Sequence, residues 1–101
     1  MGDSAPTIIE RVAGHGNVCL GERLIKAVRY TVTVHQNYGE SQFISGEEIR
    51  YPTFQNTKLV VGERIEAGFD EVLTLHLADG RKLDFYAIRG EVAPRGGLYR
   101  D

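Results

Sequence analysis

Apolar and polar residues alternate with a period of two over much of this chain, the spacing expected of strands half-buried in a sheet. From Val72 to Ile88, Leu73, Leu75 and Leu77 alternate with Thr74 and His76, and Leu83, Phe85 and Ala87 alternate with Lys82, Asp84 and Tyr86. Asp79-Gly80 lies between the two runs. A two-residue turn at that dipeptide would set Leu77 against Lys82 and Leu75 against Asp84, placing charge on the apolar face. A three-residue loop, Ala78-Asp79-Gly80 with a left-handed glycine and a bulge, sets Leu75 against Leu83 and Leu73 against Phe85. That register keeps His76, Lys82 and Asp84 outside.

Val28, Tyr30, Val32 and Val34 form one face of an earlier run opposite Arg29, Thr31, Thr33 and His35, and the density of β-branched residues favours a strand. Its loop at Asn37-Tyr38-Gly39-Glu40 leads into a strand around Phe43-Ile44, with Gly46 expected at a bulge. Further strands are expected at residues 7–13, 17–20, 49–51 and 58–61, and Gly14-His15-Gly16-Asn17 reads as a tight turn between the first two. The chain also resembles itself. Val18-Cys19-Leu20-Gly21-Glu22-Arg23-Leu24 aligns with Leu59-Val60-Val61-Gly62-Glu63-Arg64-Ile65, and Val32-Thr33-Val34-His35 then meets Leu73-Thr74-Leu75-His76. Strand-turn-strand geometry produces such a match without shared ancestry, so the expectation is of two similar β-units, with strands rather than short helical turns at 22–27 and 63–68.

The fold class expected is all-β: a small single-domain antiparallel barrel, or a compact sandwich, of six to seven strands. Residues 7–93 form the domain, and 1–6 and 94–101 are tails, because Pro94-Arg95-Gly96-Gly97 reads as unable to propagate a strand or helix. At 101 residues, 42% of them hydrophobic, the chain suits one core. A formal net charge of −2 lacks the basic excess of a whole-surface nucleic-acid binder and leaves room only for a local basic patch. The single cysteine, Cys19, excludes an intramolecular disulfide and has no base beside it that would make a nucleophile. With no apolar run long enough to span a bilayer and no apolar signal core, the expected setting is cytoplasmic, without membrane contact.

Candidate chemistry is sparse. His35 and His76 occupy matching strand ends, and Asp84 is expected across from or diagonal to His76, which would make a metal or acid-base site if the rings converged. No close ligand spacing supports convergence, so solvated surface histidines are preferred and no cofactor is implied. Gly14-His15-Gly16 lacks the spacing of a phosphate-cradling loop. Residues 50–58 read as a loop carrying Tyr51 and Phe54 between Arg50 and Lys58, and Arg81 and Lys82 at the hairpin tip would extend that aromatic-basic patch if the loops share one end of the barrel. The leading expectation is a non-enzymatic module that binds a protein or peptide. An oligonucleotide-binding barrel using Arg50, Tyr51, Phe54, Lys58, Arg81 and Lys82 is second, and a histidine-based enzyme third.

Overall fold

The structure, a computed structural model, describes residues 6–101. The expected tail at 1–6 lies outside these residues except for the exposed Pro6. Eight strands run in the order β1 (Thr7–Leu20), β2 (Arg23–Tyr38), β3 (Gln42–Ile44), β4 (Glu47–Ile49), β5 (Pro52–Val61), β6 (Leu73–His76), β7 (Lys82–Ile88) and β8 (Glu91–Tyr99). Six of them make one antiparallel sheet in the order β5-β2-β1-β6-β7-β8, and β3 and β4 pair separately. The terminal strands β5 and β8 approach each other without ladder hydrogen bonds, so the sheet curls into a nearly closed barrel.

The hairpin β6–β7 has the register that alternation predicts. Leu73 faces Phe85 and Leu75 faces Leu83. The Leu77 amide donates to the Arg81 carbonyl at 2.9 Å, and Gly80 closes the loop at a φ of +92°, where a side chain would be strained. These leucines and Phe85 are buried with Val18, Val28, Val32, Leu59 and Ile65, and among the described residues no polar or charged residue joins them.

Several other readings are corrected. Gly14-His15-Gly16 is not a turn, because β1 runs through it unbroken. The glycines are there for a tertiary reason: a Cβ on Gly16 would lie 2.4 Å from the His76 carbonyl oxygen and 3.0 Å from the Tyr30 ring, and one on Gly14 would lie 3.0 Å from the Tyr30 hydroxyl. Tyr30 is thereby seated against β1, and its hydroxyl accepts the Ala78 amide proton at 2.9 Å. Gly46 marks no bulge but the second place of a two-residue turn, in which Ser45 and Gly46 both have positive φ, the signature of a type I′ hairpin. Residues 52–58 belong to β5 rather than a loop, with Pro52 at the strand's first position, where its missing N–H is tolerated.

The tail expected from 94 is the strand β8 as far as Tyr99, with Pro94 opposite Phe85. Edge position explains it: the side of β8 turned to β5 carries no ladder, so the missing donor of Pro94 breaks nothing there. Nor does the self-resemblance define two like units. Gly21-Glu22 is a two-residue turn between adjacent strands, with Gly21 at a φ of +61°, whereas Gly62-Glu63 opens an irregular connection to β6, a strand not adjacent to β5. Residues 63–68 are accordingly neither strand nor helix, and Ile65 turns in from them to join the buried core.

The radius of gyration is 16.7 Å, against about 13 Å for a compact domain of this length. The excess comes from one end. Beyond the barrel the first residues of β1, the last of β2 and the first of β5 continue as a three-stranded arm, and the β3–β4 hairpin extends it, giving a longest dimension of 56 Å.

If Gly16 is glycine because of Tyr30 and His76, Gly16→Ala should cost at least about 2 kcal/mol through overpacking. Gly46→Ala, where a Cβ meets nothing within 4 Å and only the positive φ opposes it, should cost about 1 kcal/mol. Chemical denaturation of the two variants checks this, and equal losses would contradict the packing argument.

Candidate functional site

The period of two assigns each residue of β1, β2 and β5 to one side of the sheet. Val32, Val34 and Leu59 point into the barrel, so their neighbours Thr33 and Lys58 point out, and Phe54, two pleats from Lys58, shares the outer face. The sequence-predicted residues therefore divide. Phe54 and Lys58 lie on one open face, while Arg50 and Tyr51 sit in the short link between β4 and β5. Arg50 stacks over the Tyr38 ring with its guanidinium carbon 4.5 Å from the centroid, an arrangement that holds the long side chain in place.

Arg81 and Lys82 are engaged elsewhere. The Arg81 guanidinium makes a bidentate pair with Glu10, at 2.9 and 2.7 Å, and a further bond to Asp79 at 2.9 Å. Lys82 pairs with Asp101. Neither cation extends the patch around Tyr51 and Phe54, because both already have carboxylate partners. Glu10, which sequence reasoning did not single out, carries the fixation: it lies 71 residues from Arg81 and no local pattern links them.

The histidines do not converge. Ile8 lies opposite His35 and Asn17 opposite His76, about nine residues apart on β1, or roughly 30 Å along the strand. Asp84 accepts hydrogen bonds from the Thr74 hydroxyl at 3.0 Å and the Tyr99 hydroxyl at 2.6 Å. Its charge, through that bond, holds the Tyr99 phenol above its ordinary range. Among the described residues no cluster of His, Cys, Asp and Glu has the geometry to hold a metal ion.

The arm carries six of the exposed large apolar residues. Ile8, Ile9, Phe43, Ile44, Tyr51 and Phe54 are all exposed on it, Phe43 at 74% and Phe54 at 60%. Residues 7–10 of β1 and 52–56 of β5 are exposed on both faces of the sheet, so among the described residues no element buries either side. Hydrogen bonds rather than burial shape this region: Asn37 donates to the Phe54 carbonyl at 3.2 Å, Gln55 to the Gln36 side chain at 3.2 Å, and the Gly39 amide to the Tyr51 carbonyl at 2.9 Å. Leu24, Val60, Phe69, Ile88 and Tyr99 are exposed too, but outside the arm.

Among the described residues no helix is long and apolar enough to cross a membrane. Comparison of the chain with protein-family models, curated proteins and solved structures found no significant match to any of them.

The Arg81 pairs make a pH-dependent strut. Hydrogen bonds from Arg81 hold the Glu10 and Asp79 carboxyls below their ordinary values of 4.5 and 3.8. A carboxyl with a lowered folded-state pKa contributes stability above its unfolded pKa and loses it as pH falls through the folded value. Denaturant midpoints measured from about pH 6 down to about pH 2.5 should therefore fall less steeply for Arg81→Gln than for the parent protein. Parallel curves would show that the strut adds nothing.

Proposed function

We propose that the protein is a binding module that recognises another protein through its projecting β-arm. The observation that carries this reading is the concentration of large exposed apolar side chains on one projection that no other element covers among the described residues. Scattered surface hydrophobics are ordinary, whereas contiguous ones rimmed by polar groups are characteristic of interaction surfaces. The residue types agree, since aromatic and arginine side chains dominate the energetically important centres of interfaces. Arg50, held over Tyr38, and the neighbouring Tyr51 offer such anchors with part of their ordering cost already met.

The arm also offers main-chain groups. Beyond the short ladder with β6 at Asn17, Val18 and Cys19, the β1 edge has no strand beside it among the described residues. A partner strand added there would extend the sheet while the flanking apolar side chains supply contact area. A catalytic reading has no comparable support, because the histidines are far apart and the Glu10 and Asp84 carboxylates are already bonded to arginine and to hydroxyls.

The test is site-specific photo-crosslinking in the cell of origin, with the probe at Phe43 on the arm and, as a control, at Glu22 in the β1–β2 turn. Phe43 should give a discrete covalent adduct with a second, different protein, and Glu22 should not. Adducts of equal intensity and pattern from both positions, no adduct from Phe43, or an adduct only with another copy of the chain would contradict the reading.

A further inference from the structure

The outer face of β1, β2 and β5 carries a second feature, separate from the apolar tip. Across the strands, Arg11 faces Thr33 and Thr33 faces Lys58, so two cations flank a threonine about 10 Å apart. Four residues along β2, roughly 13 Å away, Arg29 stands beside His15 in the same outward orientation. No Asp or Glu occupies an outward position of these three strands between the two rows. Among the described residues Arg11, Arg29 and Lys58 make no ion pair, and Glu63 at the margin is paired with Lys26 at 3.7 Å. A chain of net charge −2 thus keeps one face free of negative charge.

Between the cation rows the surface dips into an open depression of about 420 Å³, lined by Ala13, Gly14, His15, Arg29, Thr31 and Val60 among others. The outward row here is Ala13, Thr31 and Val60, none of them a long side chain, and Val60 is 65% exposed on the floor. The depression is mainly apolar underneath, Arg29 and His15 line it, and the row of Arg11 and Lys58 lies one outward position beyond Ala13 and Val60 on the same face.

We propose that this face binds single-stranded nucleic acid, with phosphates on Arg11, Lys58 and Arg29 and a base laid on the Ala13–Val60 floor. The alternation of planar apolar groups with anions at short intervals is what single strands offer, and open faces of small barrels suit them. An acidic peptide fits less well. The main-chain groups of β2 are already paired with β1 and β5, so a peptide laid across this face could use only its side chains. The site needs neither Phe43 nor Tyr51 and stands independently of the protein-docking arm.

The experiment is fluorescence anisotropy with labelled fifteen-nucleotide oligo-dT and oligo-U, using the intact chain at low and moderate salt. Three phosphate contacts predict an affinity that falls on the order of 20-fold between 50 and 200 mM salt, and about 3-fold for Arg11→Gln/Lys58→Gln, which leaves one contact. These exposed substitutions should leave the thermal unfolding midpoint unchanged, and Val60→Asp, which puts a carboxylate on the floor, should abolish binding. Phe43→Ser should bind as the parent does. Absence of binding at 50 mM salt, a salt dependence unaffected by the double substitution, or equal binding of polyglutamate or of anionic phosphatidylserine vesicles would overturn the proposal.

Discussion

The Tyr30 ring can take its place against β1 only because Gly14 and Gly16 have no side chains beneath it. Once seated, the ring is buried and its hydroxyl bonds the Ala78 amide at 2.9 Å, so one side chain joins the long β1–β2 hairpin to the loop of the β6–β7 hairpin. The direct ladder between these units is short, covering only Asn17, Val18 and Cys19 of β1. Displacing the hydroxyl would leave the part-buried Ala78 amide without its acceptor, so the bond fixes where the second hairpin sits as well as stabilising it. The core residues Leu75, Leu83 and Phe85 meet Val28 and Val32 in consequence.

This division leaves a barrel that is well packed and an arm that is not. Among the described residues every fully buried side chain of the barrel belongs to the hydrophobic set, whereas the outer part of the arm rests on ladder and side-chain amide bonds. Such bonds in contact with water contribute little net stability, so the arm depends on continuity with the barrel strands. The two proposed surfaces follow from the same strands seen from different places: an apolar projection at the end of the arm, and a carboxylate-free outer face along its root.

The all-β class and the β6–β7 register were legible because both depend on local alternation. Leu75 can face Leu83 only if the loop has three residues, and that rule lies within one short stretch. The glycines of β1 were misread because their requirement is set by Tyr30 and His76, which no local rule brings near. Pro94 and Gly96-Gly97 misled in the opposite way: they oppose a central strand but not an edge strand at an open seam. Of the candidate site, Phe54 and Lys58 could be placed on one face as soon as residues 52–61 were known to be a strand. Arg11 and Arg29 joined them only through sheet order, and the loss of Arg81 to Glu10 depends on a contact between distant parts of the chain.

Native-state hydrogen exchange of the free protein measures this division most directly. Peptides covering β6 and β7 should open only with global unfolding, and those covering β3, β4 and the first residues of β5 should exchange at least about 100-fold faster. Uniform protection along the chain would contradict an unpacked arm carried by a packed barrel.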